Sequence, residues 1–274
     1  MHPVAFQFGA LTVTWYGILV AAGFLMALLA ASRRAPAGGL TQESILDLGP
    51  WLIVGAILGA RVLYVITFWR DQFADQPFTE WLMVWRGGLV FYGGLIGATL
   101  GAILFALVKK IPMWKMGDVV APSIPLGYAF GRIGCLMNGC CYGKESHLPW
   151  AIQLPQSAVY PQGIHPTQVY DALWGLLLFW VLARLYRRKS FDGQIFVTFL
   201  LGYSVLRFLS EFLRGDYPPD QLYFGGHVTS AQIVSVGIFV VSTVIWRLLP
   251  RQATGAKSTA GKIEKTPETT TRPR

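Results

Sequence analysis

Long apolar runs recur along this chain, each of about the length that crosses a lipid bilayer. Their cores lie at about residues 12–32, 46–68, 88–108, 117–137, 167–185, 193–213 and 228–247. A helix needs about 20 mostly apolar residues to span the hydrocarbon core. The pattern therefore predicts an all-α, polytopic membrane protein with about seven transmembrane helices.

The fourth run is the weakest of the set. It contains Pro122, Pro125, Gly127 and Arg132. Irregular backbone and charge at membrane depth are tolerated only where protein or a water-filled cavity surrounds them. We therefore expect this segment to be packed inside the bundle rather than to face lipid.

Composition agrees with the membrane class, because the chain is 53% hydrophobic and only 14% charged. Soluble domains carry about 25% charged residues. The first apolar run follows no basic segment and is long enough to span, which predicts a retained helix rather than a cleaved signal peptide. We expect residues 1–250 to form one membrane domain. Residues 251–274, rich in Thr, Lys, Gly and Pro, predict a disordered basic cytoplasmic tail.

Basic residues lie mostly in alternate connections between the predicted spans. One side carries Arg33, Arg34, Lys109, Lys110, Lys115, Arg184, Arg187, Arg188, Lys189 and the residues from Arg247 onward. The other side carries Arg70, Arg86, Lys144 and Arg214. Because positive charge marks the cytoplasmic side, this asymmetry predicts the N-terminus outside and the C-terminus inside. The net charge of +9 is then a consequence of topology, and no nucleic-acid partner is expected.

Three arginines, Arg61, Arg132 and Arg207, fall within predicted spans. Each costs about 2.5–3.5 kcal/mol at mid-membrane on insertion scales. Snorkelling toward the headgroups is the alternative for any one of them. Counting along the helices places all three roughly 7–11 Å below the outer surface. Similar depths apply to Tyr16, Tyr92 and Asp171, so the sequence predicts a polar site in one outer layer.

The sixth span carries a polar stripe in "GYSVLRFLSEFLRGD". Tyr203, Arg207, Glu211 and Arg214 are spaced to share one helical face. Glu211 can pair with either arginine and leave the other to bind a ligand anion. The alternative is an ion-pair ladder that only neutralises itself.

The segment "RGGLVFYGGLIGATLG" is rich in glycine, with Gly87, Gly88, Gly93, Gly94, Gly97 and Gly101. Small residues at four-residue spacing usually allow two helices to pack closely. Exposed backbone N–H groups could also approach a phosphate. Both interpretations stay open for Gly93 and Gly94.

Taken in order, six segments resemble one family, the prolipoprotein diacylglyceryl transferases of bacterial plasma membranes. The segments are "TWYGILVAAGF", "GARVLY", "GGLVFYGGLIG", "GRIGCLMNGCCYG", "HPTQVYD" and "GYSVLRFLSEFLR". The resemblance covers nearly the whole chain except the tail.

The resemblance implies an enzyme that moves the diacylglyceryl group of phosphatidylglycerol onto the lipobox cysteine of a prolipoprotein signal peptide. A thioether forms and glycerol phosphate leaves, without a cofactor or a metal. It implies a multi-pass protein of the bacterial plasma (inner) membrane, with its active site facing the outer leaflet. The functional positions carried over by the resemblance are Tyr16, Arg132, Asn138, Gly143, Tyr203 and Arg207, with Asp171 and Glu211 as acidic partners.

From these residues we expect Arg132 and Arg207 to bind the lipid phosphate and to stabilise the leaving group, because an arginine holds a phosphate with two parallel hydrogen bonds. Tyr92, Asp171 and Glu211 are the further catalytic candidates. Tyr16, Arg61, Gly93, Gly94, Asn138, Gly143 and Tyr203 are expected to contact substrate.

The chain departs from the family pattern at four of these places. Tyr92 stands where the family commonly has a histidine, which is the natural candidate for a base. Cys135 replaces an asparagine, Cys140 an acid, and Asp171 a longer glutamate. These changes leave the group that accepts the thiol proton open between Asp171, Glu211 and a positive field alone.

The three cysteines, Cys135, Cys140 and Cys141, allow several interpretations. Their spacing lacks the second ligand pair of a usual zinc site, with His147 the nearest histidine. A disulfide from Cys135 to Cys140 or Cys141 and a covalent lipid–cysteine intermediate are alternatives. We expect small packing residues and no metal.

Two other functions compete with the transferase. A catalytically impaired paralogue would bind or move anionic lipid or lipopeptide. A small-anion transporter would need a polar path to the inner side, but the inner halves of the spans carry almost no ionisable groups.

Overall fold

The computed structural model describes residues 3–9, 11–153, 163–216, 222–223 and 228–249. The predicted tail, residues 251–274, lies outside these described residues. The helices are α1 (Trp15–Arg34), α2 (Gln42–Thr67), α3 (Phe78–Trp81), α4 (Phe91–Val108), α5 (Met113–Val120), α6 (Ser123–Asn138), α7 (Thr167–Tyr186), α8 (Gln194–Ser210) and α9 (Ser230–Leu248). Strands β1 (Val4–Phe8) and β2 (Leu11–Thr14) form one hairpin, and β3 (Leu222–Tyr223) pairs with β4 (Val228–Thr229).

Six of these helices are long and apolar enough to cross a membrane: α1, α2, α4, α7, α8 and α9. The pair α5 and α6 passes the same test together and makes a seventh span if it is counted as one. The prediction of an all-α membrane protein with about seven spans is confirmed. The chain is a multi-pass membrane protein.

The fourth predicted span is broken rather than continuous. Helices α5 and α6 meet at an angle of 43°. Pro122 lies at the break, where a proline ring and its missing N–H prevent a regular helix from continuing. Helix α6 packs between α1 and α7, as its polar composition led us to expect.

Three helices begin at a threonine whose side chain accepts a hydrogen bond from the first turn. Thr14 accepts from Gly17, and Thr41 accepts from Ser44. Thr229 and Gln232 form a reciprocal capping box at the start of α9. These caps satisfy N–H groups that otherwise lack a partner inside the helix.

Helices α2 and α4 approach so closely that their backbones touch. A side chain on Gly55 or Gly59 would strike the carbonyl oxygen of Gly97 or Gly93. A side chain on Gly101 would lie 2.6 Å from the Trp51 oxygen. Helix packing therefore explains the glycine spacing of this segment.

Short strand pairings, which the sequence analysis did not anticipate, tie the connections together at one end of the bundle. Isolated bridges join Gly143 to Arg214, and join both Glu145 and Ile152 to Ile164. They hold the segment after α6 against the segments that precede α7 and follow α8. The hydropathy pattern carries no signal for pairings of this kind, because they involve one or two residues far apart in sequence.

At the opposite end, Asp118 of α5 caps the start of α8. Its carboxylate, which is fully buried, accepts hydrogen bonds from the backbone N–H groups of Gly193, Ile195 and Phe196 at 2.8–3.0 Å. Lys189 Nζ lies 3.2 Å from the same carboxylate. Partial burial lowers the pKa of Lys189, but Asp192 and Asp118 outweigh it, and the net pKa is raised. The buried Asp118 carboxylate therefore joins α5 to the start of α8.

Candidate active site

A buried ion pair between α6 and α7 is the centre of the polar layer. Arg132 Nε lies 3.2 Å from Asp171 Oδ2, and the two residues are 9% and 3% exposed. The Arg132 guanidinium also stacks over the Tyr128 ring, 4.8 Å from its centroid. Tyr128 is one helical turn before Arg132, so α6 supplies both the cation and the ring that covers it.

Helix α8 brings the second arginine to the same place. The rings of Tyr128 and Tyr203 meet edge to face with centroids 5.7 Å apart. A small cavity is lined by Tyr128, Asp171, Tyr203 and Arg207, with α6, α7 and α8 each contributing. The structure therefore brings Arg132, Asp171, Tyr203 and Arg207 together, although they come from three helices.

Glu211 links both arginines of the α8 stripe. It forms an ion pair with Arg207, lies 3.7 Å from Arg214 Nη1, and accepts a 2.9 Å hydrogen bond from the Thr229 hydroxyl. Arg214 also pairs with Asp216 through two hydrogen bonds of 2.9 and 2.7 Å. Of the two alternatives left open by the sequence, these contacts favour the ion-pair ladder, because both arginines reach the Glu211 carboxylate.

Gly143 is confined between two neighbouring backbone segments. Its N–H donates to the His165 carbonyl at 3.0 Å. A Cβ at this position would lie 2.7 Å from the His165 oxygen and 2.9 Å from the Leu213 oxygen. Only glycine fits, so Gly143 lets the loop after α6 dock beside the ends of α7 and α8. Its direct contact with substrate stays a prediction.

Tyr16 and Asn138 meet the cysteine segment. Tyr16 packs on Gly134 of α6, where a Cβ would lie 3.1 Å from its ring. Asn138 Nδ2 lies 3.6 Å from Cys140 Sγ. Cys135, Cys140 and Cys141 are all free thiols, so the disulfide alternative is not realised in this structure. Their sulfur atoms lie within 4.8 Å of one another.

Arg61 is bound by the backbone of the connection between α2 and α4. Its guanidinium donates to the backbone carbonyls of Glu80 and Trp81 at 2.7 and 2.8 Å, and to Gly87 and Gly88 at 2.8 and 3.2 Å. Four carbonyl partners leave little capacity for a substrate phosphate. The structure thus shows Arg61 holding the connection between α2 and α4, and argues against the predicted substrate contact.

A Cβ at Gly93 would strike the Gly59 oxygen, which favours the packing interpretation for that residue. A Cβ at Gly94 would make only ordinary contacts with α2, so both interpretations stay open there. Tyr92, at the start of α4, is 50% exposed and is close enough to Tyr203 for an electrostatic interaction. It therefore borders the polar cluster, and its role in proton transfer stays a prediction.

Sequence reasoning missed three side chains that build the site. Tyr128 stacks with Arg132 and lines the same small cavity as Arg207, while Thr167 and Gln168 are buried at the start of α7. The Thr167 hydroxyl donates to the Cys141 carbonyl at 2.8 Å, and Gln168 Nε2 donates to the Cys140 carbonyl at 2.7 Å. The signal was present in "HPTQVYD", where two polar residues enter an apolar helix.

A largely apolar groove reaches Asp171, the acidic member of the ion pair. It lies between α7 and α8, has a volume of about 530 Å³, and includes Leu173, Trp174, Leu177 and Leu209 along its walls. Its polar lining residues are Thr167, Tyr170, Asp171 and Ser210. The arrangement suits an amphiphile whose tails occupy the groove and whose anionic head reaches the arginines.

The sequence profile of the family described as prolipoprotein diacylglyceryl transferase matches residues 3–248. A relative from Pasteurella multocida is 36% identical over 258 residues, covering 93% of this chain and 94% of its own. Relatives from Aeromonas salmonicida and Listeria welshimeri are each 38% identical, covering 92% and 91% of this chain and 91% of their own. All three are named phosphatidylglycerol–prolipoprotein diacylglyceryl transferase. The chain belongs to the prolipoprotein diacylglyceryl transferase family.

Proposed function

We propose that the protein transfers the diacylglyceryl group of phosphatidylglycerol to the lipobox cysteine thiol of prolipoproteins. The observation that carries this proposal is the Arg132–Asp171 pair, whose carboxylate lines a largely apolar groove. An anionic lipid needs both features, a cation at headgroup level and a channel for its chains. The names of the relatives supply the same two substrates.

In this reaction the peptide sulfur attacks the carbon of the diacylglyceryl group that is bonded to a phosphate oxygen. The new carbon–sulfur bond forms as the carbon–oxygen bond breaks, and its electrons pass to the phosphate oxygen. Glycerol phosphate leaves, and the thiol proton ends on that phosphate. Arg132 and Arg207 would stabilise the growing negative charge, because preorganised donors act most strongly where charge develops.

The same cations would favour the thiolate form of the peptide cysteine. Asp171 and Glu211 are committed to arginines in this structure, so we assign them to positioning those cations. Tyr203 and Tyr128 would exclude water between the arginines, and Tyr92, Tyr16, Asn138 and Gly143 would border the peptide.

We further propose that residues 1–250 act as one unit in the bacterial inner membrane. The site would face the outer leaflet, with the N-terminus outside and the tail inside. The charge asymmetry of the connections supports this orientation.

Purified protein in liposomes tests the function directly. With phosphatidylglycerol and a synthetic lipobox peptide, we expect the peptide to gain one diacylglyceryl group by mass spectrometry and glycerol phosphate to appear. A peptide with serine in place of its cysteine, and liposomes of phosphatidylcholine, should give no product. No thioether under conditions in which an active relative forms it would refute the transferase.

Lipid binding without product would instead favour the impaired paralogue. Arg184→Ala is a control for the transfer assay, because Arg184 stacks on Trp180 near the end of α7 that is farther from Asp171. This variant should retain transfer.

A further inference from the structure

The three cysteines form a compact cluster beside the proposed active site. Their sulfur atoms all lie within 4.8 Å of one another, and each residue is partly buried. These are all the cysteines in the chain. A tetrahedral zinc–thiolate site has zinc–sulfur bonds of about 2.3 Å, which places its sulfurs about 3.8 Å apart. The cluster therefore needs a contraction of about 1 Å or less to hold an ion.

The backbone of the loop after α6 brings the three thiols together. Cys135 lies in the last turn of α6, which ends at Gly139 in the left-handed conformation. The chain then folds back, and the Cys140 N–H donates to the Cys135 carbonyl at 3.1 Å. Buried Thr167 and Gln168 hold the carbonyls of Cys141 and Cys140 from α7. The thiols are thus preorganised by contacts that persist when a ligand binds.

Cys141 is held in a backbone conformation that side chains rarely adopt, with φ of 61°. Such a conformation costs on the order of 1 kcal/mol or more and persists where the surroundings enforce it. It places the Cys141 thiol on the same side as the other two.

The surroundings also suit thiolates. The Asn138 side-chain N–H points toward Cys140 Sγ at 3.6 Å, the kind of outer contact that orients a coordinating sulfur. Arg132 precedes Cys135 by three residues on α6, so the two side chains share one face of that helix.

We propose that Cys135, Cys140 and Cys141 form a three-thiolate site for a thiophilic metal ion of the Zn²⁺ type. The sequence argued against a metal because it shows no second ligand pair, but the fold supplies three ligands without one. Binding would release the thiol protons to solvent and involve no change of oxidation state. Three protein ligands leave one tetrahedral position open.

Cobalt binding tests this proposal without lipid or peptide, so its outcome is separate from that of the proposed transferase. Co²⁺ is added to the reduced, full-length protein, purified in detergent under anaerobic conditions and without a polyhistidine tag. We expect one Co²⁺ per chain, a near-ultraviolet thiolate-to-cobalt charge-transfer band, and loss of that band when Zn²⁺ is added. Absence of the band from well-folded protein would overturn the site.

Variants identify the ligands. Cys140→Ser should weaken Co²⁺ binding at least about tenfold, since even substitutions of outer contacts cost that much. His147→Ala is the matched control and should leave the band unchanged, because no histidine belongs to the cluster among the described residues. An undiminished band in Cys140→Ser, or its loss in His147→Ala, would contradict the ligand set.

A second measurement needs no variant. In the wild-type protein, stoichiometric Zn²⁺ should protect all three thiols from alkylation, as counted by mass spectrometry. Unchanged alkylation of the three cysteines would refute the proposal.

Discussion

Two buried arginines, Arg61 and Arg132, differ sharply in what surrounds them. Both lie in apolar helices, and they are 7% and 9% exposed. Arg61 donates to four backbone carbonyls, and the Tyr64 and Phe73 rings cover it. Arg132 faces the Asp171 carboxylate and the Tyr128 ring. Within the described residues, no backbone carbonyl accepts a hydrogen bond from Arg132.

The difference shows that burial of a cation does not by itself mark a functional site. Backbone carbonyls are fixed parts of the fold and do not give way to a substrate. An arginine that donates to four of them therefore has a structural role. A carboxylate is an anion, and a substrate phosphate can share or replace its contact with the arginine. The chemistry of the partner therefore separates the two roles.

The sharpest test of this comparison is Arg132→Lys, with Arg207→Lys beside it. Lysine keeps the charge but lacks the planar fork that binds phosphate at two points. We expect transfer to fall by about 10²–10³-fold, as when a preorganised transition-state donor is removed. Steady-state kinetics in phosphatidylglycerol liposomes measures this loss, with the unfolding temperature as the control. Wild-type turnover in both variants would contradict our assignment.

Gly143→Ala should give the next largest effect. The added methyl group would meet the His165 and Leu213 carbonyls, so the loop must move away from α7 and α8. We expect a loss of transfer of roughly tenfold together with a lower unfolding temperature, as overpacking predicts.

Gly131→Ala is the matched control for that substitution. Nothing lies within 4 Å of a Cβ at Gly131. Equal behaviour of the two variants would show that the strand bridge at Gly143 does not matter.

Arg61→Ala tests whether the role of Arg61 is structural. Loss of the guanidinium removes the donor from the carbonyls of partly buried Glu80, Trp81 and Gly88 and of exposed Gly87. We expect the free energy of unfolding to drop by about 1–3 kcal/mol. The connection between α2 and α4 should become more sensitive to protease. The Michaelis constant for phosphatidylglycerol, measured on folded enzyme, should stay unchanged. A selective rise in that constant would restore Arg61 as a binding residue.

The smallest effects are expected at the cysteines. Cys140→Ala should leave the rate of transfer under reducing conditions within about a factor of two, because the proposed reaction uses no step at the Cys140 sulfur and alanine fills most of the space of a partly buried thiol. Cys141→Gly should stabilise the fold by about 0.5–1 kcal/mol, because glycine adopts positive φ without strain. Loss of transfer in Cys140→Ala would give the sulfur a catalytic role.

The sequence predicted the helices and their number because hydropathy over about 20 residues reports burial in lipid directly. Counting depth along each helix also predicted one polar layer that includes Arg132, Asp171 and Arg207. Tyr203 was predicted by its place on the α8 stripe and by the family resemblance. Partners that depend on backbone geometry were not predictable. No periodicity reveals that carbonyls near Gly87 would reach Arg61.

The cysteine cluster shows the same limit at shorter range. Its three sulfurs converge because α6 is capped at Gly139 and because Gln168 of α7 holds the loop that follows. The spacing of the cysteines along the sequence predicts neither feature. The break between α5 and α6 was signalled by Pro122, but its angle depends on packing against α1 and α7.

The glycine contact between α2 and α4 has a consequence for reading mutational surveys. Gly55, Gly59 and Gly97 have no room for a side chain, yet they lie apart from the polar cluster. A survey scored by cell survival would rank these glycines with Arg132 among the least tolerant positions. Pairing that score with a measurement of protein abundance would divide them, since glycine variants would be depleted from the membrane while arginine variants would accumulate in an inert form.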